Sequence, residues 1–160
     1  MPDSPICSIR IQTEDFSLDE CYQHLRTVSP NKTGAIATFT GLVREYGDKQ
    51  GVDGLFLEHY PGMTESSLQK IVVQAAEKWR FDGVTIVHRV GMLKLNEQIV
   101  FVGVCSSHRS DAFSACEFIM DFLKTEAPFW KKEINHEGNV WVEAKQSDRE
   151  RSHKWTSNAP

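Results

Sequence analysis

Cationic and imidazole side chains stand where the chain changes character: Arg44 behind an apolar run, His108-Arg109 between two apolar segments, and Lys124, Lys131 and Lys132 on either side of Pro128. The ends of elements are where a rigid scaffold presents reactive groups to a ligand. His108 and Arg109 also precede a helix start, whose free backbone N–H groups and dipole favour an anion such as a phosphate. A guanidinium adds two parallel N–H donors for the same kind of group. A lysine beside a reacting acyl or phosphoryl group stabilises developing charge. It moves protons near neutral pH only where burial or neighbouring cations lower its pKa from about 10.4. Taken singly, each residue has a plainer account. Arg109 suits an exposed ion pair, Lys124 complements a helix dipole, and Lys131 and Lys132 suit a solvated strand edge.

Other chemistries lack their signatures. The six histidines never take the His-Glu-x-x-His form, and Cys105 with His108 lacks the further ligands of a closed zinc site, so no metal is expected. His59 and His88 alternate with apolar neighbours and read as packed, hydrogen-bonded side chains. Cys105 lies in the apolar run from Ile99, where burial makes a thiol inert. Gly41, Gly47 and Gly51 match neither standard phosphate-loop spacing, and no cofactor is expected. A net charge of -4 argues against broad binding of nucleic acid. The apolar runs are too short to cross a bilayer and the first residues do not read as an export signal. Four cysteines without a Cys-x-x-Cys pair then read as reduced thiols, and the expected compartment is the cytosol.

The elements that must position these residues follow from periodicity. Ile6 to Ile11 reads as a strand, and Ser17-Leu18-Asp19-Glu20 as a capping box opening a helix to Val28. Gly34 to Val43 is a mostly buried strand, Glu45 to Asp53 a breaker-rich loop beside Arg44, and Leu55 to Tyr60 a strand ended by Pro61-Gly62. Leu68, Ile71, Val72, Ala75, Ala76 and Trp79 trace one face of a helix capped by Thr64. Val84 to Arg89 and Ile99 to Ser106 are strands joined through Asn96-Glu97. Ser110 caps a second long helix, with Phe113, Cys116, Met120 and Leu123 on one face, that stops near Glu126 before Pro128. Phe129 to Asn135 and Asn139 to Ala144 form a hairpin through His136-Glu137-Gly138, and residues 145–160 read as a polar, frayed tail. The 160 residues are expected to form one domain of α+β class: a mixed, largely antiparallel sheet with two main helices and a C-terminal hairpin.

Four strings occur in a telling order: Thr38–Arg44 (TFTGLVR), Leu57–Glu65 (LEHYPGMTE), Ser107-His108-Arg109 followed by Ala112-Phe113, and Met120–Glu133 (MDFLKTEAPFWKKE), with Trp141–Ala144 (WVEA) behind them. Together they make the stretch from Gly34 to Ala144 resemble the large, catalytic subunit family of molybdopterin synthases. The resemblance implies an α/β-hammerhead type fold and a sulfurtransferase. It also implies a homodimer of large subunits with a small ubiquitin-like sulfur-carrier subunit at each outer end, a heterotetramer. The small subunit's Gly-Gly tail, ending in a thiocarboxylate, would donate sulfur to cyclic pyranopterin monophosphate, and two transfers would make the molybdopterin dithiolene. By resemblance, Lys124 and Lys131 are catalytic. Leu42, Val43, Arg44, His108, Arg109, Lys132 and Glu133 join them in the substrate pocket, with Arg44, His108 and Arg109 on the phosphate. Leu42 departs from the longer or basic residue of many relatives, so it would contribute shape alone. Two rival readings stand beside this one: a non-catalytic module gripping an extended C-terminal tail, and a hydrolase built on Cys105.

Overall fold

The computed structural model describes residues 4–45, 52–135, 138–142 and 146–156. The elements are β1 (Ile6–Gln12), α1 (Leu18–Val28), β2 (Ala35–Leu42), β3 (Val52–His59), α2 (Met63–Lys78) and β4 (Gly83–Arg89). They continue with β5 (Gly91–Lys94), β6 (Gln98–Ser106), α3 (Arg109–Glu126), β7 (Phe129–Asn135), β8 (Gly138–Val142) and α4 (Gln146–Thr156). Most of the expected breaker-rich loop, residues 46–51, lies outside the described residues, and its last two positions already belong to β3.

The α+β class and the largely antiparallel pairing are as read from the sequence, but the strands form two sheets of four rather than one. The first has the order β1-β4-β6-β2, with β1 parallel to β4 and the other pairs antiparallel. The second, β5-β3-β7-β8, is antiparallel throughout. Gly91 makes the division possible: its φ of +88° lets the chain leave β4 and enter β5, which pairs with β3. Met92 to Lys94 are too few to give a readable period. Asn96, with φ of +70°, then turns the chain into β6, at the expected place.

Strands β4 and β6 are buried almost throughout, as continuous apolar runs in the centre of a sheet should be. Alternation sends Val84, Ile86, Val100, Val102 and Val104 into the main core beneath α2 and α3. Val87, Phe101 and Cys105 go to the opposite face, where Leu25 of α1 covers them. Helix α2 begins at Met63, earlier than the apolar stripe suggests, and Thr64 binds the turn before it by accepting from the Tyr60 N–H at 3.1 Å.

Two features were not legible. The tail expected to fray contains α4, packed on α3. Its one large apolar side chain, Trp155, meets Trp79 and Phe118 edge-on at centroid distances of 5.4 and 5.5 Å. The Trp155 indole N–H and the Arg151 Nε donate to buried Asp121 at 2.6 and 3.1 Å. Charge pairing and one aromatic anchor thus replace the apolar stripe that would have announced a helix. The other is Arg89, whose buried guanidinium donates to the carbonyls of Thr13 at 3.2 and 3.0 Å and of Gln98 at 3.0 Å. Asp15 and Glu97 stand 3.9 and 3.6 Å from it. The residue pins the ends of β1, β4 and β6 together. Arg89→Met should therefore cost roughly 2 to 4 kcal/mol by urea denaturation, because it removes all three guanidinium hydrogen bonds to the Thr13 and Gln98 carbonyls.

Candidate active site

Helix α3 ends where the sequence requires. Pro128 forces its predecessor out of the helical region, and Ala127 has φ of -80° and ψ of 136°. The Phe129 N–H reaches back to the Ala127 carbonyl at 2.9 Å, so two residues separate α3 from β7. This corner carries Lys124 on the last helical turn and Lys131 on the strand, both half-buried. Alternation along β7 puts Phe129, Lys131 and Glu133 on one face, opposite His59, Leu57 and Leu55 of β3. Leu55 and Leu57 belong to the main core, so Lys131 and Glu133 face inward, and Glu133 is buried. Lys132 lies on the other face, opposite Phe56.

Beneath the corner lies His88. It shares the core-facing side of β4 with Val84 and Ile86, and its ring stacks on Phe129 with centroids 3.8 Å apart and planes inclined by 17°. Its Nδ1 lies 2.8 Å from the Arg89 carbonyl. A carbonyl only accepts, so that nitrogen carries the proton and Nε2 is left as an acceptor. Burial pushes the imidazole pKa down to about 3, opposed by the hydrogen bond to Arg89 and reinforced by the positive charges of Lys124, Lys131 and His59. The corner is thus a cluster of cations around a histidine that stays neutral.

An open groove of about 640 Å³ runs between edge strand β2 and α3, with Phe39, Phe113, Met120 and Lys124 in its walls. Arg44 leaves β2 at the end where β6 begins, the end toward which α3 carries Lys124. Its side chain is exposed, as is that of Leu42, whereas Val43 is packed into the core. Val43 is held by its backbone: its N–H donates to Glu97 at 2.9 Å and its carbonyl accepts from Asn96 at 2.7 Å.

His108 and Arg109 sit elsewhere. His108, not Ser110, is the N-cap of α3, because the Ser106 hydroxyl accepts from the His108 N–H at 3.3 Å and turns the chain before Ser110. Gly34 packs against the Ser107 carbonyl where any Cβ would collide, and its N–H donates to Ser106 at 2.9 Å. Both His108 and Arg109 are exposed, and no side chain caps the helix. Fifteen helical steps separate Arg109 from Lys124, roughly 22 Å along the axis. Ser106 pairs with Ala35 while Gln98 pairs with Leu42, so Arg44 is also about a strand's length, ~23 Å, from the His108 turn. The expected convergence of Arg44, His108 and Arg109 on one phosphate therefore does not occur within a single chain.

The family model for the MoaE protein matches residues 11–126. The chain belongs to the MoaE family. It is 48% identical over 147 residues to the molybdopterin synthase catalytic subunit of Vibrio cholerae serotype O1, a match covering 92% of this chain and 97% of that one. It resembles the solved molybdopterin biosynthesis MoaE protein from Burkholderia ambifaria with a TM-score of 0.81 and 48% identity, over 96% of this chain and all of that one. Molybdopterin synthase from Staphylococcus aureus is similar at TM-score 0.76 and 34% identity, covering 84% and 96% of the two chains.

In this MoaE chain Cys105 lies on the α1 side of the first sheet, and Cys116 lines the groove with Lys124. Cys105 is fully buried, and burial followed by the charge of Asp82 raises its pKa, which disfavours a thiolate nucleophile. Cys116 is pushed up to about 12, mainly by burial. Among the described residues no group of three His, Cys, Asp or Glu is placed to hold a metal, and no helix is long and apolar enough to cross a membrane. The alternation of His59 and His88 with apolar neighbours predicts packed side chains. Their packing is right for His88, but their place beside the two lysines depends on pairings between distant strands. An unfolded imidazole takes up a proton near pH 6.5 and the folded His88 only near 3, so between those values the unfolded chain binds the extra proton. Stability should fall as pH is lowered through that window, by on the order of 1 kcal/mol per unit from this residue. Urea titrations at several pH values should show this slope in the wild type and a shallower one in His88→Phe.

Proposed function

We propose that this chain is the catalytic subunit of a molybdopterin synthase, acting in the cytosol on cyclic pyranopterin monophosphate with sulfur delivered as the C-terminal thiocarboxylate of a small ubiquitin-like partner. The observation that carries this reading is the position of Lys124, in the wall of the β2–α3 groove and on the corner that also bears Lys131. A narrow, glycine-ended tail lying in the groove would bring its thiocarboxylate to Lys124. The ammonium stabilises charge on the acyl group as sulfur leaves, and Lys131 assists proton transfer or opening of the cyclic phosphate. The chain itself contributes orientation and electrostatics, and its reaction calls for no metal and no resident cofactor.

The separation of the two cationic groups adds an assembly requirement. For His108 and Arg109 to bind the phosphate of a substrate at Lys124, they must come from a second copy, which makes the working unit a homodimer with two composite sites and, with the partners added, a heterotetramer. Arg44, Lys124 and Lys131 then form one half of each site, with Leu42 and the inward Glu133 beside them, Lys132 on the other face of β7, and Val43 holding the Arg44 backbone in place. The uncapped start of α3 gives the other half its free N–H donors.

Mixed with the thiocarboxylated partner and substrate, the wild type should form molybdopterin, measured by mass spectrometry. Lys124→Ala should fold and lose turnover by at least about a hundredfold, in the range of losing a key electrostatic group. Tail binding without product from the wild type would favour a binding module instead. Composite sites make a second expectation: Lys124→Ala and Arg109→Ala, each inactive alone, should regain about a quarter of wild-type activity when unfolded together and refolded, because a mixed dimer keeps one intact site. No recovery would place both groups in the same chain's site.

A further inference from the structure

His88 shares the core face of β4 and β6 with Val84, Ile86, Val100 and Val102, so burying an imidazole there calls for a reason beyond filling space. The ring is fixed from two directions. Nδ1 is tied to the Arg89 carbonyl at 2.8 Å, and one face lies flat on Phe129 at 3.8 Å. Phe129 is the first residue of β7, directly opposite His59 on β3 and two residues from Lys131 on the same strand face. Between Phe129 and α3 there are only Ala127 and Pro128, so whatever fixes Phe129 also fixes the end of the helical turn that bears Lys124. The charged and titratable groups acting on the ring are Lys124 from α3, Lys131 from β7 and His59 from β3. Arg89, its neighbour in the chain, directs its guanidinium to Thr13 and Gln98.

We propose that His88 is a positioning residue for the Lys124–Lys131 pair: its ring, stacked on Phe129, clamps the α3–β7 corner on which both lysines ride and keeps water from their inner side. This rests on the functional reading above. The ring touches neither tail nor substrate. A positively charged residue in its place would repel both lysines, and a branched aliphatic one would fill the space without offering Phe129 a flat face.

The test is steady-state kinetics with the thiocarboxylated partner and cyclic pyranopterin monophosphate, comparing wild type, His88→Ala and His88→Phe, each first shown to be folded by circular dichroism. His88→Ala should lose roughly 10- to 100-fold in kcat, the scale of a small misplacement of reacting groups, with KM for partner and substrate nearly unchanged. The alkaline limb of its kcat–pH profile should move to higher pH, since water reaching the lysines favours their charged form. His88→Phe restores the flat contact and should recover most of kcat and the original limb, which relief of general instability would not do to a pH profile. Should His88→Ala not fold, His88→Leu carries the same expectations as the alanine variant. A kcat within twofold of wild type in the alanine or leucine variant overturns the proposal, and so does a phenylalanine variant no better than they are. If the wild type itself makes no product, the functional reading has failed. The clamp is then read by NMR of the Lys124 and Lys131 side chains: signals that shift in His88→Ala and return in His88→Phe support it, and signals unchanged in both overturn it.

Discussion

The two-residue link between α3 and β7 is the constraint on which the rest of the site depends. Pro128 denies Ala127 a helical conformation, so the helix ends on a defined turn and the strand begins at once. A longer link would let Lys124 and Lys131 vary independently. With this one, a helix packed on the first sheet and a strand in the second are rigidly related. Thr64 adds a tie from the start of α2, since its hydroxyl proton can go to the Tyr60 carbonyl at 3.0 Å or to that of Pro128 at 3.4 Å, though not to both at once.

Dividing the strands between two sheets has a functional side. One sheet supplies the buried His88 and the edge strand along the groove, and the other supplies Lys131 and His59. The site lies at their junction, where side chains from β3, β4, β7 and α3 meet. The opposite end of α3 carries His108 and Arg109 on an uncapped helix start, too far away to serve the same pocket. In the proposed assembly, self-association through a two-fold axis would bring these two ends of α3, from different copies, to one substrate.

Much of this was legible in the sequence because it is local. The alternation and continuous apolar runs of β4 and β6, the stripe of α2 and the proline stop of α3 each express a short-range rule, and the structure follows them. Four family strings located Lys124 and Lys131 together, which spacing alone does not do. What escaped reading was set by partners distant in sequence or by weak periodic signal. The stack of His88 on Phe129 joins residues 41 positions apart. Helix α4 is held by Asp121, Phe118 and Trp79 rather than by its own pattern, and β5 is too short to announce itself. The distance between Arg44 and His108 follows from strand register, which no local pattern gives.

In the proposed assembly, the corner lysines of one copy and the His108–Arg109 turn of another face a single substrate. A crystal structure of the protein with cyclic pyranopterin monophosphate bound tests it most directly. The account requires the ligand to lie against Lys124 and Lys131 of one copy with its phosphate on His108 and Arg109 of a second. A ligand held by one copy alone, or bound away from the α3–β7 corner, would contradict it.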